Sequence, residues 1–274
     1  MIAPPLSALL LAVAAPTPPA HAAPSPAVSD QSLFHNCATL VQKDPNAAVT
    51  TANDWRLRGG GIFARQCLGL AYTALNRWPE AATAFEQAAH DAETSRDSRA
   101  ADFWVQAGNS WLAGDQPGKA RADFDSALAT TALTAQLRGE VELDRARADV
   151  ALDDLAAARA DLDHGLQHVP DDPYAWYLSA SLAVKEESLP RAQADIAKAL
   201  ERAPNDPDVL LEAGNIAGLS GNLDQARTYY ARAVQVAPNS DAGKSARAAL
   251  IDDTQPDPPA NAAPANPPGS APKH

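Results

Sequence analysis

Methionine occurs once in the 274 residues and cysteine twice, and Trp, Tyr and Phe number only five each. Two cysteines exclude a disulfide-dense miniature fold. Cations are short as well: Lys and Arg total 22 against 34 Asp and Glu, for a net charge of −12. That balance argues against a nucleic-acid partner, because phosphate affinity comes from clustered Lys and Arg. No run of 18 apolar residues occurs, so no membrane-spanning helix is expected. What is abundant is alanine, 62 residues by count. Alanine favours helix but buries little area, so the chain needs many close-packed helices rather than one bulky core.

Proline divides the chain. Seven of its 23 prolines lie in residues 1–30 and seven in 252–274, a density that excludes regular helix at either end. An apolar stretch from Leu6 to Ala15 precedes Ala20-His21-Ala22, the small-x-small spacing of a signal-peptide cleavage site. Residues 1–22 are therefore expected to be a signal peptide and 23–30 a flexible lead-in, which places the mature protein in the periplasm or outside the cell. The alternative is an Ala/Pro-rich leader on a cytoplasmic protein. Residues 252–274 hold too few large apolar groups to order and read as a disordered tail.

Between the ends the chain repeats itself. Ala180, Ala192, Ala199 and Pro204 recur 34 residues later as Gly214, Ala226, Ala233 and Pro238, and 34 earlier as Ala146, Ala158, Gly165 and Pro170. Two upstream copies keep the internal spacing: Leu68, Gly69, Tyr72, Ala81, Phe85 and Ala88, then Trp104, Gly108, Trp111, Ala120, Phe124 and Ala127. Small residues at the eighth, twentieth and twenty-seventh positions allow paired helices to approach closely. Pro79, Pro117 and Pro190 suit the starts of second helices, and Pro170, Pro204 and Pro238 lie where a helix must stop.

This pattern resembles the tetratricopeptide repeat, a helix-turn-helix unit of 34 residues. The resemblance implies an all-α solenoid, a right-handed superhelix of repeats. Five repeats are expected over 62–240, starting at 62, 101, 139, 173 and 207. The first two carry five and four extra residues, within His90–Arg99 and Thr130–Arg138, which extend second helices or form loops. Residues 31–61 read as a further helical hairpin, a degenerate repeat or cap, and 241–251 as a terminal capping helix that covers the last inner face.

Catalytic signals are sparse. His164 and His168 have the i,i+4 spacing of a helix-borne metal pair but lack the adjacent Glu of HExxH. A metal-dependent hydrolase or metalloprotein built on this pair and nearby carboxylates is the alternative reading. Acidic pairs such as Asp153-Asp154 and Asp161/Asp163 read as solvation and helix capping. No catalytic residue, metal ligand or cofactor is expected.

Binding is the main expectation. The resemblance implies a concave groove lined by the first helix of each repeat, and the family's groove positions fall here on Asn109, Arg147, Tyr174, Tyr177 and Asn215, among others. Their amides could pair with an extended peptide and their rings could stack on its side chains. The chain reads as a non-catalytic scaffold for a protein or peptide partner in the bacterial cell envelope, similar to exported repeat proteins of Gram-negative bacteria. Stacked at a period near 34, the helices carrying Cys37 and Cys67 would lie side by side, close enough for a disulfide in an oxidising compartment. In a reducing one the two would stay buried thiols.

Overall fold

The computed structural model describes residues 29–130 and 133–252. Among these residues thirteen helices follow one another with no strand. A first hairpin joins α1 (Asp30–Lys43) to α2 (Pro45–Leu57). Five pairs follow: α3 (Gly61–Ala74) with α4 (Trp78–Ser95), α5 (Ala100–Ala113) with α6 (Pro117–Ala129), α7 (Ala135–Ala151) with α8 (Leu155–His168), α9 (Pro173–Lys185) with α10 (Leu189–Arg202), and α11 (Pro207–Leu219) with α12 (Leu223–Val236). Helix α13 (Asp241–Asp252) closes the array. Each helix packs on the next, while α5, α7, α9, α11 and α13 also touch in succession. The first helices of successive pairs therefore share one face of an all-α solenoid. None of these helices is long and apolar enough to cross a membrane. The expected signal peptide and most of the lead-in, and the tail beyond Asp252, lie outside the described residues.

Local chemistry explains the helix boundaries. The carboxylates of Asp44, Asp154, Asp172 and Asp206 accept backbone N–H bonds in the first turns of α2, α8, α9 and α11, satisfying donors that the helix leaves open. The turns inside the five pairs share one backbone device. Asn76, Asp115, Asp153 and Glu187 have φ between 54° and 60°, and Gly221 has φ 78°. Each is the fifteenth residue counted from 62, 101, 139, 173 or 207. Asn and Asp tolerate this left-handed conformation better than other side-chain-bearing residues, and glycine adopts it freely. The extra residues go to different places. In the first repeat they lengthen α4 to 18 residues. In the second they fall in the connection and the start of α7, which opens at Ala135 with Thr134 as its cap.

Packing inside each pair follows a volume rule. A methyl group added to Gly69 would lie 2.4 Å from the Phe85 ring, on Gly108 2.6 Å from Phe124, and on Gly214 2.3 Å from Tyr230. Where the first helix instead carries Ala146 or Ala180, the second helix carries Leu162 or Ile196, all four buried. Glycine meets a ring and alanine meets an aliphatic chain. Gly108→Ala should overpack this contact and cost about 1–3 kcal/mol. Adding Phe124→Leu should return most of that loss in thermal unfolding; a second substitution that only deepens it would show that the two positions are not a pair.

Apolar clusters continue from pair to pair, and from α6 to α10 ionic ties are added to them. Arg121 on α6 reaches Asp149 at 3.2 Å and Asp154 at 3.4 Å. Arg145 on α7 joins Asp125 at 2.6 Å to Asp161 at 2.7 Å. Arg159 on α8 donates to Glu186 at 2.7 Å and to the Ser179 hydroxyl at 2.8 Å. Arg191 on α10 contacts Asp163 and Asp195. Ser179, wholly buried, passes the network on by donating to Asp195 at 2.6 Å.

Two buried acids, Asp123 and Glu142, stand outside these ties. Asp123 is 6% exposed, and its Oδ2 has no hydrogen-bond partner. Burial, reinforced by the nearby Glu86 charge, pushes its carboxyl up to about 7. The folded chain thus holds this proton more tightly than the unfolded chain, and stability falls as pH rises from about 4 through 7. Asp123→Asn should raise the melting temperature at pH 8, by the equivalent of up to about 4 kcal/mol, and have little effect at pH 4. Paired melts at the two pH values check it.

Candidate binding face

The five groove residues expected from the sequence lie along the shared face of α5, α7, α9 and α11, linked by two acids. Asp144 ties the first two: Asn109 Nδ2 donates to it at 2.8 Å and Arg147 Nη1 at 2.9 Å. Arg147 also donates to the Asn109 carbonyl at 3.3 Å. On α9 the rings of Tyr174 and Tyr177 stack at 6.0 Å with an interplanar angle of 20°. Burial raises both phenols; Arg147 opposes the shift at Tyr174, while Glu212 adds to it at Tyr177. Glu212 then accepts from Ser181 Oγ and Asn215 Nδ2, each at 3.1 Å. Tyr230 Oη donates to the Asn215 carbonyl at 3.0 Å.

Asn109 and Asn215 thus brace the face before they meet any ligand. Each amide already spends one donor and one acceptor on neighbours, so each has half its capacity left. Asp144 and Glu212 were not read as groove residues. Each sits three residues before a residue that was, and i,i+3 pairing on a helix is the signal that would have found them.

Two hollows open on this face. One, about 150 Å³, lies between α7 and α9 with Val150, Leu162, Leu178 and Leu182 in its walls and Arg147 and Lys185 at its edge. The other, about 260 Å³, lies between α9 and α11, lined by Tyr174, Tyr177, Asp206, Asp208 and Val209. Tyr174 is 43% exposed. His164 and His168 are elsewhere, exposed on α8. Glu142 lies near enough for both to counter the rise that burial gives its carboxyl. Among the described residues no three His, Cys, Asp or Glu side chains are grouped to hold a metal ion. The cysteines tie the N-terminal hairpin to the first repeat, where Cys37 on α1 and Cys67 on α3 form a disulfide with Cα atoms 6.2 Å apart.

Solved structures share this architecture. PilW, described as a widely conserved type IV pilus biogenesis factor, superposes with a TM-score of 0.64 at 22% identity, covering 79% of this chain and 97% of that one. PilF of Pseudomonas aeruginosa gives 0.62 at 15% identity over 80% and 97%. A tetratricopeptide repeat protein of Parabacteroides merdae gives 0.61 at 14% over 83% and 86%. At these identities the likeness is one of fold. No curated protein matches the chain in sequence. Residues 68–134, 143–207 and 177–242 match the tetratricopeptide repeat. With more than half its length so matched, and with five helix pairs turning on a left-handed residue at the same place, the chain belongs to the tetratricopeptide repeat family.

Proposed function

We propose that the protein is a non-catalytic scaffold of the bacterial cell envelope that holds a protein or peptide partner on the concave face of its solenoid. The observation that carries this reading is the row of polar and aromatic side chains on the first helices, Asn109, Arg147, Tyr174, Tyr177 and Asn215, with two hollows beside it. Stacked repeats make extended surfaces of this kind, suited to a chain-like ligand rather than a small molecule. The signal-like leader and the disulfide support an oxidising, exported setting. Family membership supports protein binding and leaves the partner to be found by experiment.

The test is capture from an envelope extract by the full chain carrying a photo-crosslinker on the face of α9. A variant with Tyr174→Ala, Lys185→Ala and Asp208→Ala should lose the crosslinked partner while keeping its helicity. A control with three exposed substitutions on the second helices should keep it. Equal loss from both variants would move binding off the concave face.

A further inference from the structure

The two hollows differ in chemistry, and the difference specifies what a bound peptide must carry. The α7–α9 hollow has aliphatic walls and a volume near 150 Å³, enough for one ring or one branched aliphatic side chain. Its edge is cationic: Arg147 is neutralised by Asp144 at 2.9 Å, but the exposed Lys185 ammonium stands at the far end. A second cation is therefore repelled there.

The α9–α11 hollow is the reverse. Its floor is the stacked tyrosine pair, and Asp206 and Asp208, both exposed, stand over it. Asp208 and Glu212 are close enough to push the Tyr177 phenol up, and Asp144 and Asp172 act on Tyr174 in the same direction. Four carboxylates thus bear on this pair against one guanidinium, Arg147. Aromatic faces beneath carboxylates attract a Lys or Arg side chain by cation–π and ionic contact together. The chain's net charge of −12 draws a basic segment towards it from a distance.

The spacing follows from helix geometry. Along α9 the apolar hollow is lined from Leu178 to Lys185 and the acidic one from Pro173 to Tyr177. Their centres differ by about seven residues, or roughly 10 Å at 1.5 Å per residue. Across α9 they are displaced by about one inter-helix distance, roughly 8–10 Å. The diagonal is about 13–14 Å, which an extended chain spans in about four residues at 3.3 Å each.

Resting on the groove-binding reading above, we infer that the partner segment is an extended peptide with two anchors about four positions apart: a Leu- or Phe-sized side chain in the α7–α9 hollow and a Lys or Arg over Tyr174 and Tyr177.

Fluorescence anisotropy of labelled twelve-residue peptides against the full chain tests this. The probes place one Leu and one Arg in a Gly/Ser background, in both orders, at separations of one to eight residues. One order at a separation of about four should bind about tenfold more tightly than separations of one or eight, and than peptides with either anchor alone. Tyr174→Ala with Asp208→Asn should erase the gain from Arg and keep that from Leu. Val150→Phe, which fills the apolar hollow, should do the opposite. Affinity indifferent to spacing, or no binding by any peptide of the set, overturns the inference. If captured partners still depend on the α9 face in that case, the groove reading stands and only the two-anchor rule falls.

Discussion

Arg159→Ala should destabilise the fold by about 3–5 kcal/mol, the cost of leaving a hydrogen-bonded ion pair without one member at a poorly solvated seam. The Arg159 side chain is only 14% exposed, and Glu186, its partner at 2.7 Å, is 24% exposed. The same guanidinium also holds the Ser179 hydroxyl and carbonyl. Removal takes the charged donor from the Glu186 carboxylate, the Ser179 carbonyl and the Ser179 hydroxyl at once, between α8 and α9, and leaves the hydroxyl only its bond to Asp195. In a stacked array that loss falls on one interface. Thermal unfolding of the variant should therefore split into two steps, as α1–α8 and α9–α13 uncouple. Arg159→Lys keeps the charge but not the planar fork and should recover less than half of the loss. A single transition unchanged in midpoint would show that the α8–α9 seam is held by its apolar contacts.

The second large effect is expected at the other end of the array. Replacing Cys37 and Cys67 with Ala should cost about 3–4 kcal/mol, because the bridge closes a loop of 30 residues in the unfolded chain. Both sulfurs are buried beside Trp55, Ala64 and Leu68, so no ordinary solvent contact competes with the bond. The damage should be local. Hydrogen exchange in α1 and α2 should accelerate strongly, while α9–α12 keep their protection. Trypsin should then reach Arg56 and Arg58. The bridge itself is checked by intact mass: protein purified without reductant should gain two mass units on reduction, and alkylation of both thiols in the unfolded, unreduced chain would exclude it.

Much of this architecture was legible in the residues, and the reason is periodicity. Small side chains at fixed intervals, proline at helix starts and stops, and Asp at caps are local or repeating signals, readable without knowing which helices touch. The expected hairpin at Asp44-Pro45 and the terminal helix near Asp241 follow from the same signals. The charged seams were not legible in that way. Asp154 was read as a cap, and it does accept from Ala157 N at 3.2 Å, but it also receives Arg121 from the preceding pair. Asp161 and Asp163, read as solvating, are spoken for by Arg145 and Arg191, 16 and 28 residues away. Charge pairing over such spans has no local sign. The Arg145–Asp161 tie emerges only when the two helices of a repeat pair, and the Arg191–Asp163 tie only when one repeat is laid on the next. The five candidate residues fall between these cases: their place on the first helices could be read from the repeat spacing, while the degree to which Asn109 and Asn215 are already engaged depends on Asp144 and Glu212.

The glycine–ring and alanine–aliphatic pairs lie within a single repeat, whereas the Arg121–Asp154, Arg145–Asp125 and Arg159–Glu186 ties run from one repeat to its neighbour. Shape is thus a private property of each module, and charge a property of adjacency. A repeat could be copied or moved without leaving a mismatched glycine behind. Moved elsewhere, however, the module of α7 and α8 would present Arg145 and Arg159 to neighbours lacking Asp125 and Glu186. The order of the modules is therefore written in the ionic residues, and the acidic, alanine-rich composition leaves the chain little else with which to write it.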